Sequence, residues 1–170
     1  DKLKEMAECM FSLLRKTGTL IIEVQYLMNT LKDLTFDNIY HEHYNYWSLT
    51  SLVYFFNQFN AKIFRSEKID THGGSIRVYA CRKGRYSISK NVKKQFLKED
   101  KYLTKKQFNI FRDKVINSKL NLFNLIKKIK EKKYKIYGVG APSRASTLIN
   151  YLGLDHEIID CVLEVNGSYK

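Results

Sequence analysis

Apolar residues in the first sixteen positions recur at helical spacing. Leu3, Met6, Ala7, Met10, Leu13 and Leu14 fall on one stripe, which predicts an amphipathic helix over 2–16. Gly18 follows and is expected to end it as a C′ glycine. The apolar run TLIIEVQ, 19–25, reads as a buried strand, and 26–37 carries no period and reads as irregular. Ser48 or Thr50 stands where a second helix needs its N-cap, ahead of Leu52, Val53, Phe55, Phe56 and Phe59. AKIFRSEKI (61–69) and SIRVYACR (75–82) are β-rich and flank DTHGG, which predicts a hairpin-like antiparallel pair. From about Ser87 to Lys132 the period is helical again, with Phe96, Leu103, Phe108, Phe111, Val115, Leu122, Leu125, Ile126 and Ile129 at three- and four-residue steps. One long helix fits, and so do two that break near Lys101–Thr104. A short apolar strand (134–138) then enters a glycine-rich turn, a helix (about 143–152) and a second strand, EIIDCVL (157–163).

These elements predict an α/β chain. Helix, glycine and apolar strand in that order are the late part of an alternating α/β domain. Strand, glycine turn, helix and strand are the opening of a Rossmann-like fold. The expected domains are therefore 1–84, the end of one Rossmann-like sheet; 85–133, a helical connector; and 134–170, the start of a second Rossmann-like βαβ domain. One βαβ unit cannot bury its own sheet, so the chain is expected to be part of a larger protein, or to dock its C-terminal half on something else.

Composition narrows the classes. Of 170 residues 44% are hydrophobic and 14% aromatic, enough to bury a core and to exclude wholesale disorder. No apolar run is long enough to span a membrane, and the acid-containing N-terminus resembles no targeting segment. Cys9, Cys81 and Cys161 are far apart with no CxxC pair, which predicts a reducing, cytoplasmic setting and no zinc site in this chain. The net charge of +13 is concentrated: between Arg82 and Lys135 there are 19 Lys/Arg against 4 Asp/Glu, and elsewhere 11 against 13. Such a segment reads either as a solvated helix face or as a nucleic-acid surface.

Three stretches carry candidate chemistry. NIYHEHYNYWSL, 38–49, holds two of the four histidines. His41 and His43 could ligate a metal if a third ligand joined them, could be core histidines among aromatics, or could do acid–base work. Imidazole titrates near neutrality and can remove a proton next to a carbonyl, a carboxylate such as Glu42 can orient it, and a tyrosine OH can stabilise the oxyanion. His72, Gly73 and Gly74 form either a two-glycine turn or a flexible wall beside a pocket. GVGAPS, with Gly138, Gly140, Ala141 and Ser143, follows a strand and opens a helix, as a phosphate-binding turn does. Arg144, Ser146 and Thr147 would add donors. The third glycine of GxGxxG is absent, and Pro142 removes one N–H, so a plain structural turn fits equally.

FDNIYHEHYNYWSLTSL, THGGSIRVYA and YGVGAPSRASTLINYLGL occur in this order and spacing. Together they resemble the C-terminal part of the sugar C-methyltransferases, which use S-adenosylmethionine to methylate nucleotide-linked keto-sugars. The resemblance implies a parent with a zinc-binding N-terminal region, a central class I methyltransferase domain and a Rossmann-like C-terminal domain. It implies a dTDP-linked deoxy-keto-sugar as acceptor and a histidine that takes the proton alpha to the ketone. The family's Y-x-E-H residues fall on Tyr40, Glu42 and His43. That makes His43 the base, Glu42 its partner or orienter and Tyr40 a sugar or oxyanion contact, all on a loop and not a strand; His41 falls at the variable position. His72, Gly73, Gly74, Gly138, Gly140, Ala141, Ser143, Arg144 and Thr147 become acceptor contacts. Arg144 stands where the family's GAPAKGNT-type turn has lysine, and Ala145 and Ser146 replace its Gly and Asn.

The zinc-binding cysteines and the first glycine-rich unit of the methyltransferase domain have no counterpart in this sequence. The chain is thus expected to carry the base without the main S-adenosylmethionine site, to be inactive alone, and to bind neither nucleic acid nor membrane. Competing readings are a nucleic-acid-binding module using the 82–135 segment, and an inactive scaffold remnant of the enzyme.

Overall fold

The N-terminal stripe forms a helix, α1 (Lys2–Leu13), which buries Ala7 and Phe11. A computed structural model describes residues 2–164, apart from the side chain of His72. α1 stops earlier than its periodicity suggests because of a distant residue. The Arg82 guanidinium donates to the carbonyls of Phe11 (2.8 Å) and Leu14 (3.3 Å), acceptors that a helix C-terminus leaves open. Gly18 is therefore no C′ glycine. It provides space: a Cβ there would lie 2.7 Å from Leu14 Cδ1.

β1 (Leu20–Gln25) follows. Residues 26–37 are more ordered than their pattern suggests, because α2 (Leu27–Asp33) buries Met28, Thr30 and Leu31 there. So short a helix is held by what it packs on and not by propensity. A 3₁₀ turn (Phe36–Asn38) and a loop lead to α3 (Leu49–Asn57), which Ser48 caps reciprocally with Ser51 in a capping-box arrangement. β2 (Ala61–Ile69) and β3 (Ser75–Arg82) pair antiparallel across a 3₁₀ turn at Thr71–Gly73. The basic segment is two helices, α4 (Lys90–Tyr102) and α5 (Lys105–Glu131). β4 (Tyr137–Val139), α6 (Ser143–Leu152) and β5 (Cys161–Leu163) complete the described chain, both strands being shorter than expected.

The chain is mixed α/β and divides into two units, Asp1–Asp33 with Asn45–Phe108, and Leu34–Tyr44 with Asn109–Lys170. In the first, the sheet runs β1–β3–β2 with both pairings antiparallel. β3 is central, and its Ile76, Val78 and Ala80 join Leu49, Leu52 and Phe56 of α3 and Ile63 of β2 in one buried cluster. Each such large apolar side chain contributes roughly 1.5–3 kcal/mol on burial. Gly74 has φ +107°, and a Cβ on it would sit 2.3 Å from Asn29 Nδ2. The close approach of α2 thus requires glycine there.

One buried charge locks this unit. Glu99 of α4 is 1% exposed and accepts from Leu49 N (2.7 Å), Thr50 N (2.8 Å), Thr50 Oγ1 (2.6 Å) and Tyr26 Oη (2.8 Å). It caps α3 from another helix, where the amides and the helix dipole both favour an anion. Glu99→Ala strands these donors and is expected to cost about 3 kcal/mol. Glu99→Gln, which keeps one acceptor oxygen, should cost less. Urea unfolding followed by Trp47 fluorescence checks the order; a loss below about 1 kcal/mol for the alanine variant removes the lock.

In the second unit β4 and β5 pair in parallel around α6, giving the predicted βαβ unit. Gly153, φ +66°, ends α6 as a left-handed C-cap. Asp160 Oδ2 accepts from Ile136 N (2.8 Å) and lies 3.4 Å from Lys130 Nζ. The Ile136 N–H bond, and then Lys130, hold its carboxyl below the ordinary range. A depressed carboxylate stabilises the fold fully above its unfolded value, about 3.9. That contribution is lost as pH falls through the lower folded value. In an NMR titration Asp160 should inflect below that of a free aspartate, with the Ile136 amide moving in step. Asp160→Asn should abolish the amide's titration; an amide that still moves in the variant refutes the assignment.

Candidate functional site

The YHEH stretch begins where the 3₁₀ turn at Phe36–Asn38 ends. His43 N–H donates to the Tyr40 carbonyl at 3.0 Å, so Tyr40–His43 is a tight turn and not a strand. The turn sets the Tyr40 and His43 rings together, centroids 4.4 Å apart, with Tyr40 Oη 3.3 Å from His43 Nε2. The other ring nitrogen, Nδ1, lies 2.9 Å from the Asn38 carbonyl. A carbonyl oxygen can only accept. Nδ1 therefore carries a proton and donates it; in the neutral ring this leaves the Nε2 lone pair facing the Tyr40 hydroxyl. We assign the neutral Nδ1–H tautomer on this geometry. A lone pair on a half-buried imidazole with its far side anchored is the arrangement a general base needs.

Glu42 is exposed, its carboxylate 3.9 Å from Nε2 of His41, which is more exposed still. The group that orients the His43 ring is the main-chain carbonyl of Asn38. Sequence reasoning missed this residue, because a backbone acceptor leaves no side-chain signature.

The glycine-rich turn is built within the same unit. Gly138 lies on β4 against Val162, where an added Cβ would come within 3.1 Å of Val162 Cγ2. Gly140 has φ +80° and donates its N–H to Leu163 O at 2.7 Å. Ala141 N–H donates to Glu164 Oε2 at 2.7 Å, so a carboxylate already meets an amide of the kind such turns offer to anions. Gly138, Gly140, Ala141 and Ser143 border a recess of about 500 Å³ whose other walls include Ile149 and Val162.

The next residues turn back onto the protein. Arg144 holds Asp37 Oδ2 through Nη2 (2.7 Å) and Nε (2.9 Å). Thr147 Oγ1 donates to the Ile39 carbonyl (2.9 Å). Tyr151 meets Phe36 edge-on at 5.5 Å, and Ser146 Oγ donates to the Ser143 carbonyl. Arg144 and Thr147 thus share a unit with Tyr40 and His43, each bonded to the segment that leads into the turn. Asp37 and Glu164 are further residues that sequence reasoning missed; a partner 107 residues away shows in no local pattern.

His72, Gly73 and Gly74 belong to the other unit. The HGG backbone forms the turn between β2 and β3, with Gly73 at φ +82° and Gly74 at φ +107°, and the Gly74 carbonyl accepts from Tyr26 N. The His72 side chain lies outside the described residues. Among the described residues no three His, Cys, Asp or Glu gather in a way that could hold a metal ion, and Cys9, Cys81 and Cys161 are unpaired.

Comparison with known proteins bears on what this geometry serves. Residues 70–170 match the family model described as "C-methyltransferase C-terminal domain". The C-methyltransferase NovU of Streptomyces niveus is 28% identical over 163 residues, which are 92% of this chain and 38% of that protein. The chain spans well under half the length of this curated relative. Since the family match takes in more than half of its residues, the chain belongs to the C-methyltransferase family and corresponds to the C-terminal part of its members.

Proposed function

We propose that this chain is the base-carrying, acceptor-binding part of an S-adenosylmethionine-dependent C-methyltransferase, and that its acceptor is a nucleotide-linked deoxy-keto-sugar of the dTDP type. The observation that carries this reading is the His43 ring, fixed at Nδ1 by the Asn38 carbonyl with Nε2 turned to Tyr40. In the proposed step Nε2 takes the proton from the carbon alpha to the ketone. The C–H electron pair moves into an enolate, and the ring becomes an imidazolium whose Nδ1–H bond to Asn38 is retained. The Tyr40 hydroxyl, released from Nε2, donates to the enolate oxygen. Glu42, two residues from Tyr40 and adjacent to His43, supplies negative charge beside the imidazolium.

The other contacts are assigned to the acceptor. Gly138, Gly140, Ala141 and Ser143 would face its diphosphate, with Arg144 and Thr147 contributing what their bonds to Asp37 and Ile39 leave over. The order β1–β3–β2 with an antiparallel central strand supports reading 1–84 as the fifth, seventh and sixth strands of a class I methyltransferase sheet. Residues 85–133 are then a connector and 134–170 a second Rossmann-like domain.

Residues for the methyl donor do not fit here. Among the described residues the first unit has no glycine-rich turn from a parallel strand into a helix and no parallel strand pair. The donor's main site is placed outside this chain, and no step is drawn through it. We place the enzyme in the cytoplasm; no helix of the described residues is long and apolar enough to cross a membrane. We read the basic segment as a solvated helical part of that enzyme and not as a nucleic-acid module; membership of an enzyme family supports this reading.

In a full-length enzyme carrying this segment, His43→Ala should retain both ligands yet lose methyl transfer by roughly 10²–10⁴-fold, the usual contribution of a positioned base. Exchange of the alpha proton with solvent should fall equally. Undiminished exchange removes His43 from this role.

A further inference from the structure

We infer that Arg144 and Thr147 are positioning residues that hold the His43 ring in its reactive orientation through the backbone of Asn38. The inference rests on the reading of His43 as base and adds to it the part of the fold that keeps the base in register. Asn38 is the single residue between two that α6 grips. Arg144 fastens the Asp37 side chain with two hydrogen bonds to one oxygen (2.7 and 2.9 Å), and Thr147 fastens the Ile39 carbonyl (2.9 Å). The carbonyl of the residue in the middle is the one that accepts from His43 Nδ1. Tyr151, one helical turn beyond Thr147, closes the same face on Phe36.

The spacing of the three α6 residues explains how one helix does this. Positions 144, 147 and 151 are three and four apart, so they lie on one face of α6. They meet 37, 39 and 36, three points of a 3₁₀ turn and its exit that leave Asn38 between them. A peptide plane is rigid. The Asn38 carbonyl belongs to the 38–39 plane, whose N–H is bonded to the Phe36 carbonyl at 3.0 Å; anchoring the residues on both sides holds the turn that carries this plane, and with it the acceptor that Nδ1–H meets among the described residues. Without that acceptor no contact among the described residues selects Nδ1–H over Nε2–H, and in the Nε2–H form no lone pair faces Tyr40. The Arg144–Asp37 pair is about one-third exposed, so its worth is directional more than energetic.

The test reads the ring and not the reaction. Nitrogen-15 NMR of the imidazole in this chain should show His43 as the Nδ1–H tautomer at a pH where the ring is neutral. Thr147→Val and Arg144→Met should each raise the Nε2–H population at least severalfold, while amides of the β4–β5 pair stay in place. Thr147→Ser, which restores the hydroxyl, should return the wild-type tautomer. If either variant fails to fold, Asp37→Asn repeats the reading from the other side of the clasp. An unchanged tautomer in all folded variants, or a wild-type ring already in the Nε2–H form, overturns the inference. Neither result depends on proton abstraction, so this idea can fail while His43 remains the base, and the base assignment can fail while the clasp stands.

Discussion

A single carboxylate, that of Glu99, decides how the first unit holds together. Burying an ion costs several kcal/mol unless its lone pairs are met. Here four donors meet it, two of them amides at the start of α3 and one the Tyr26 hydroxyl from the end of β1. Burial, with the nearby carboxylate, pushes the Tyr26 phenol well above its ordinary range. It therefore stays protonated and remains a donor to Glu99. The result ties α4, α3 and the β1–α2 junction at one point. That junction also carries the Leu27 N–H to Trp47 carbonyl bond at 2.8 Å.

The second unit uses a different device. It has little apolar burial among its described residues: α5 buries none of its side chains, and Val139 on β4 is 85% exposed. Directional contacts hold it instead. Asp160 joins the approach to β4 with the approach to β5, Gly140 and Ala141 are tied to Leu163 and Glu164, and α6 is tied to the segment at 36–39. The same Asp37 charge that Arg144 neutralises lies one residue before the carbonyl that orients His43. The glycine-rich turn and the loop that carries His43, about 100 residues apart in sequence, thus belong to one unit.

Much of this was legible in the pattern of side chains, and the failures have a common cause. The long periodic segments gave α1, α3, α4 and α5, the β-rich runs gave β1, β2 and β3, and the glycine turn gave the βαβ unit, because period and turn chemistry act locally. α2 was invisible because LMNTLKD has no stripe; it exists because Gly74 lets Asn29 come close and Met28 joins the buried cluster of the sheet and α3. The end of α1 was misplaced because its cap, Arg82, arrives from 68 residues away. Asp37, Asn38, Glu99 and Glu164 escaped notice as determinants for the same reason. A period identifies which face is covered but not which distant group completes a hydrogen bond.

The candidate site shows where that limit falls. Residue types at 40, 42 and 43 suggest a base with a carboxylate to orient it, by analogy with a serine-protease histidine. The geometry gives the orienting task to a backbone carbonyl, and the difference is chemical. A carboxylate on Nδ1–H would stabilise the imidazolium strongly and raise the basicity of the ring. A carbonyl fixes the tautomer while adding no full charge. In the proposed reaction the proton lies next to a ketone and its loss gives an enolate, so the step would need a base whose free lone pair points one way and a donor ready for the oxygen. Tyr40 on Nε2 keeps that donor at the lone pair until a carbonyl oxygen replaces the imidazole as its acceptor. In that proposal the hydroxyl leaves Nε2 open as it turns to the substrate, so exposure of the base and stabilisation of the oxyanion would follow from one movement of one side chain.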